Sequence, residues 1–132
     1  MNVGLLLVSH PGIAPALLNN AFRILGSNPI KTSILEVPMD SDLESLAIEA
    51  EKIIESLDQG EGVLILADLF GSSPCNLAYR FKNKQHIRIV SGLNLSMLIR
   101  AMNYYQDDLE TLAEKAATGA TDGIRIDDQP KS

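Results

Sequence analysis

Four short apolar runs alternate with longer stretches of helical periodicity, and that alternation constrains the fold more than any other feature of the chain. Val3 to Val8 is continuously apolar apart from Gly4. A run of that length, closed by a turn signal, predicts a strand buried on both faces. Pro11 to Leu25 follows, with Ile13, Leu17, Leu18, Ala21, Phe22 and Leu25 on one helical stripe. Gly26 predicts the helix stop, and Ser27, Asn28 and Pro29 continue the turn. Ile30 to Val37 predicts a second strand, more polar and therefore nearer an edge. Asp40 to Leu57 predicts a second helix, in which Ser41 and Glu44 have capping-box spacing. "GVLILAD", Gly62 to Asp68, is the most apolar run and predicts a central strand. A third helix is expected from Pro74 to Phe81, a fourth strand from Ile87 to Val90, and helices over Leu95 to Asn103 and Asp107 to Ala117. Gly119 to Gly123 reads as a break. "GIRID", Gly123 to Asp127, alternates apolar and polar residues and predicts a half-exposed strand.

Strands that alternate with helices in this way imply an α/β domain with an open, mainly parallel sheet and right-handed crossovers. One domain is expected over residues 1–127, with residues 128–132 as a frayed tail. The interior must be built from Leu, Ile, Val and Ala, because aromatics are only 5% and tryptophan is absent. The net charge of −6 comes without any basic block, which argues against nucleic acid or anionic membranes as partners. The single cysteine, Cys75, excludes an intramolecular disulfide and a cysteine-rich zinc site. No apolar run approaches the roughly 20 residues of a membrane span, and no signal peptide is recognisable. The expectation is a cytoplasmic protein.

Open parallel sheets bind ligands beyond the carboxyl ends of their strands. Three polar clusters fall there: Ser9-His10-Pro11-Gly12, Asp68-Leu69-Phe70-Gly71-Ser72-Ser73-Pro74, and Ser91-Gly92-Leu93-Asn94. In the strand order 2-1-3-4, His10 and Asp68 would face each other across the switch point. A carboxylate that accepts one ring N–H fixes the imidazole tautomer and leaves the other nitrogen as base or nucleophile. The glycine- and serine-rich turn Gly71-Ser72-Ser73 offers N–H groups and hydroxyls to an anion at a helix start. Together these parts describe a histidine that carries a phosphoryl group. Taken singly each has a plainer reading: a strand-end histidine is commonly idle, an acid after a strand is commonly an N-cap, and "GSSP" is a common helix start. His86 sits in a polar stretch at the opposite end of the sheet and reads as a surface residue. No HExxH, CxxC, Walker or GxGxxG motif is present, so neither metal nor cofactor is expected.

The blocks "GLLLVSHPGIAPALLNNAFRILG", "GVLILADLFGSSPCNLAYR" and "IVSGLNLSMLIRAM" resemble the mannose-type EIIA component of the bacterial phosphoenolpyruvate:sugar phosphotransferase system, over nearly the whole chain. The resemblance implies that His10 accepts a phosphoryl group from HPr and passes it to an EIIB protein. It implies that Asp68 holds the ring, that Nε2 is the phosphorylated nitrogen, and that Ser73 helps hold the phosphoryl group. It also implies a homodimer that exchanges a C-terminal antiparallel strand, here Ile124 to Asp127. Ser72, Phe70 and Ser96 depart from the commonest residues of the family, which leaves the sugar branch open. The resemblance also implies a free-standing EIIA whose acceptor is another chain. Two related readings share this chemistry: a regulatory phosphoprotein that senses flux, and the phosphoryl-transfer subunit of a dihydroxyacetone kinase. A receiver-like domain would need an acidic pair after the first strand, where "SHPG" supplies none.

Overall fold

A computed structural model describes residues 2–127; the expected tail, 128–132, lies outside them. The chain runs β1 (Gly4–Ser9), α1 (Ile13–Leu25), β2 (Thr32–Glu36), α2 (Leu43–Leu57), β3 (Val63–Ala67), α3 (Ser73–Tyr79), β4 (Ile87–Ser91), α4 (Leu95–Asn103) and α5 (Leu109–Asp122). The four strands form one parallel sheet in the order β2-β1-β3-β4. Every residue of β1 and β3 is buried, whereas β2 and β4 at the edges are only partly so. The uninterrupted apolar runs of β1 and β3 follow from helices covering both faces.

Side chains alternate across a strand, so each central strand supplies two cores. Val3, Leu5, Leu7, Leu64 and Leu66 pack with α1, α4 and α5. Leu6, Val8, Val63, Ile65 and Ala67 pack with α2 and α3 on the other face. The helix ends follow local chemistry. Gly26 adopts φ 79° and donates its N–H to the Phe22 carbonyl, as its place at the stop of α1 predicts. The start of α2 differs from the expected capping box. Asp42 is the cap, accepting from the Glu44 N–H at 3.0 Å and the Ser45 hydroxyl at 2.8 Å, while Ser41 donates to the Pro38 carbonyl.

The largest departure is at the C-terminus. α5 continues through Gly119 to Asp122, where a break was expected. Gly119 is there for close approach: a Cβ added to it would lie 2.5 Å from Arg100 Cβ on α4. Residues 124–127 form no strand within this chain, and Ile124 and Ile126 are exposed. Among the described residues no helix is long and apolar enough to cross a membrane.

Gly4 fixes how closely α2 approaches the sheet. A Cβ there would meet the Leu57 carbonyl oxygen at 2.6 Å and Leu57 Cβ at 2.8 Å. Gly4→Ala should therefore destabilise the domain by about 1–3 kcal/mol through overpacking. Urea unfolding checks this, and an unchanged midpoint would mean that the end of α2 does not seat on β1 as described.

Candidate active site

The carboxyl ends of β1 and β3 are adjacent because Val8 pairs with Ala67. Asp68 follows Ala67 directly and His10 lies two residues beyond Val8, so the two meet there. Asp68 Oδ2 accepts the backbone N–H of His10 at 2.8 Å and lies 2.6 Å from its ring Nδ1. Asp68 Oδ1 accepts the Leu69 N–H at 2.7 Å. The carboxylate is acceptor-only when ionised, so Nδ1 carries the proton, and in the neutral ring Nε2 keeps the lone pair. Nε2 has no hydrogen-bond partner among the described residues. The Asp68 side chain is 7% exposed and that of His10 37%, so the pair has a buried anchor and an accessible ring. Burial of Asp68 pushes its pKa up. The hydrogen bonds from the His10 N–H, the His10 ring and the Leu69 N–H outweigh that effect, and the carboxyl is held below the usual carboxylate value.

The turn at His10 is pinned from several sides. The His10 carbonyl accepts from the Ser9 hydroxyl at 2.7 Å and from the Ile13 N–H at 3.3 Å. Gly12, at φ 85°, donates its N–H to Glu36 Oε1 at 2.5 Å. Glu36 ends β2, so both neighbours of β1 help to shape the loop. No sequence signal marks Glu36; a glutamate at an exposed strand end is ordinary, and only the parallel register brings it to Gly12.

His10 opens onto a cleft of about 380 Å³ lined also by Val37, Pro38, Met39, Asp40, Ser72 and Ser73. Asp40 is the one non-glycine residue with positive φ, 61°, among those described. The Ser73 hydroxyl and backbone N–H donate to no protein acceptor among the described residues, so they are available to a ligand. Ser72 is different: its N–H and hydroxyl both donate to the Leu69 carbonyl, at 3.1 and 2.6 Å. Gly71 lies outside the lining and supplies the φ of 86° that turns the chain toward Ser73. The cluster Ser91–Asn94 does not reach the cleft. Gly92 donates to the Asp68 carbonyl at 2.9 Å, and Asn94 caps α4 through the Met97 N–H. Among the described residues no group of three His, Cys, Asp or Glu side chains could hold a metal ion. Met39, in the lining, is 85% exposed, and Leu69 and Phe70, in the turn between Asp68 and Ser72, are exposed at 63% and 69%.

The chain as a whole matches a known family. The model of the PTS system fructose IIA component, EIIA-man, matches residues 4–117. The chain belongs to the mannose-type EIIA family. It is 29% identical over 128 residues to the mannose-specific EIIAB component of the Escherichia coli phosphotransferase system. That alignment covers 95% of this chain and 39% of the relative. It is also 29% identical over 115 residues, 83% of its length, to the transcriptional regulatory protein LevR of Bacillus subtilis, of which it spans 12%. The mannose/sorbose-specific IIA subunit from Enterococcus faecalis superposes with a TM-score of 0.84 and 27% identity, covering 100% of this chain and 99% of that one. The PTS IIA protein associated with a fucose utilization operon of Streptococcus pneumoniae gives 0.81 at 25% identity, covering 96% and 93%.

In this EIIA domain, folding lowers the Asp68 pKa from 3.8. The unfolded chain then binds that proton more readily than the folded one. The Asp68 contribution to stability is present above pH 3.8 and is lost as pH falls through the lower, folded value. Wild type should thus be more stable than Asp68→Asn near neutrality, with the gap closing below about pH 4. Parallel denaturation series across pH check this; a gap that does not change with pH would remove the bonded carboxylate from the stability of the fold.

Proposed function

We propose that this domain is a phosphoryl carrier of the sugar phosphotransferase system, with His10 as the phosphorylated residue. The reading rests on one observation: Asp68 holds Nδ1 and leaves Nε2 as the free nucleophile in an open cleft that also contains Ser73. Nε2 attacks the phosphorus of a donor phosphohistidine in line. The donor N–P bond breaks as the Nε2–P bond forms, and the proton on Nδ1 stays against Asp68. The carboxylate offsets the positive charge that the ring acquires. Catalysis of this kind is positioning together with charge stabilisation. The Ser73 hydroxyl and N–H bind the transferred oxygens, and the turn of Gly71 and Ser72 presents them.

HPr is the donor and an EIIB protein the acceptor in this reading, and a carrier fed by HPr works in the cytoplasm. Exposed Met39, Leu69 and Phe70 support it, since apolar side chains grouped around a reactive residue mark a docking surface. The similarity to LevR favours a second reading, in which the same His10 chemistry serves regulation rather than sugar uptake. Partners captured with and without phosphorylation separate the two.

The test is incubation with phosphoenolpyruvate, EI and HPr, followed by mass analysis. One acid-labile phosphate should appear on His10 and be absent from His10→Ala. A His10→Ala chain that takes up phosphate at a comparable rate sinks the assignment. Asp68→Asn should retain HPr binding and accept the group more slowly, and an unchanged rate would take Asp68 out of the mechanism.

We further infer a homodimer in which Ile124–Asp127 of each copy adds antiparallel to the partner's β4. The outer edge of β4 is unpaired among the described residues, and Ile124 and Ile126 are exposed at alternate positions. A chain ending at Gly123 should sediment as a monomer where the full chain is a dimer. Equal masses for the two would refute the exchange.

A further inference from the structure

We propose that Ser9 is a positioning residue for His10, an inference that rests on the phosphoryl-carrier reading above. Ser9 is the one polar residue that is fully buried, at 0% exposure, among those described. It shares a strand face with Leu5 and Leu7, so its side chain points toward α1 rather than into the cleft. Its hydroxyl makes two hydrogen bonds. Oγ–H donates to the His10 carbonyl at 2.7 Å, and Oγ accepts the Ala14 N–H at 3.0 Å.

The second bond replaces something the local sequence lacks. The first turn of a helix leaves four N–H groups without intrahelical partners. Gly12 occupies the N-cap of α1 and has no side chain to satisfy one. A capping side chain is strained there, because Gly12 has φ 85°. The same turn that presents His10 therefore rules out an ordinary cap, and Ser9 supplies the acceptor from five residues before Ala14.

The first bond reaches the reactive residue. The His10 N–H is fixed by Asp68 Oδ2, and its carbonyl by Ser9 Oγ with the Ile13 N–H. Ser9 is itself held in the sheet, its carbonyl accepting the Val37 N–H at 2.8 Å. Both peptide groups of His10 are thus anchored, and the ring direction follows from the 2.6 Å contact at Nδ1. Ser9 touches neither the cleft nor a transferred group, so it acts through His10. Without the hydroxyl the His10 carbonyl keeps only the longer 3.3 Å bond from the Ile13 N–H, and that side of the residue is less tightly held against a shift. In-line transfer is steeply sensitive to such shifts, about a hundredfold for a misplacement of about 1 Å.

The experiment compares Ser9→Ala, Ser9→Thr and Ser9→Val in the full chain. Thr and Val have the same shape, so extra bulk cancels and only the hydroxyl differs. Two readouts are taken: the single-turnover rate of phosphoryl uptake from phospho-HPr, and the ¹H–¹⁵N NMR signals of the His10 ring, which need no donor protein. Ser9→Ala and Ser9→Val should lose about tenfold in rate through a partial shift of the ring, with His10 signals moved toward a mixture of tautomers. Ser9→Thr should stay close to wild type in both. Wild-type rates and ring signals in Ser9→Ala or Ser9→Val overturn the proposal. So does unfolding of both while Ser9→Thr folds, since the hydroxyl would then serve the fold alone. A wild-type chain that takes up no phosphoryl group defeats the carrier reading instead, and the ring signals still report whether Ser9 orients His10.

Discussion

A single oxygen, Oδ2 of Asp68, joins the ends of the two central strands. It accepts both the backbone N–H and the ring of His10, so one carboxylate sets the position and the tautomer of the histidine together. That arrangement depends on parallel pairing of β1 with β3, which brings the residues after Val8 and Ala67 side by side. It depends also on rigid strands. β1 and β3 are buried on both faces by two cores that share no side chain, so neither strand can slide without disrupting packing above and below the sheet.

Much of this was legible in the sequence, and the exceptions have physical causes. The runs at Val3–Val8 and Gly62–Asp68 announced buried strands because nothing polar interrupts them, and both proved central. The meeting of His10 and Asp68 followed from the strand order. Gly119 misled because glycine is a helix breaker on average, and its role in packing appears only when α4 lies against it. Asp42 displaced Ser41 as a cap because the chain enters α2 one residue later, an offset that spacing does not resolve. The alternation of "GIRID" is real, but alternation names a strand without naming its partner, and this chain alone provides none.

At the cleft, the residues that the sequence singled out carry polar or ionisable side chains, whereas those that bond only backbone groups drew no notice. Ser73 was singled out by the family resemblance, not by its place in the serine-rich turn. Ser72 looked equivalent, yet both of its donors close the turn on Leu69. Glu36 and Ser9 bond backbone groups near His10, and such bonds depend on the path of the chain rather than on residue spacing. The exposed apolar residues were hidden for a related reason: Leu69 and Phe70 follow the β3 run with only Asp68 between, and only the geometry shows that they leave the core.

The lining of the cleft has an energetic meaning. Among the described residues, His10, Ser72 and Ser73 face Asp40 and three apolar residues, and no lysine or arginine lines the cleft. A guanidinium clamp would deepen the well in which a phosphoryl dianion rests. In the proposed carrier, hydroxyl and amide groups would hold the oxygens while the Asp40 carboxylate stands nearby. If the domain is the carrier proposed above, a shallow well is an advantage: a phosphorylated state close in free energy to donor and acceptor would let the group move in either direction.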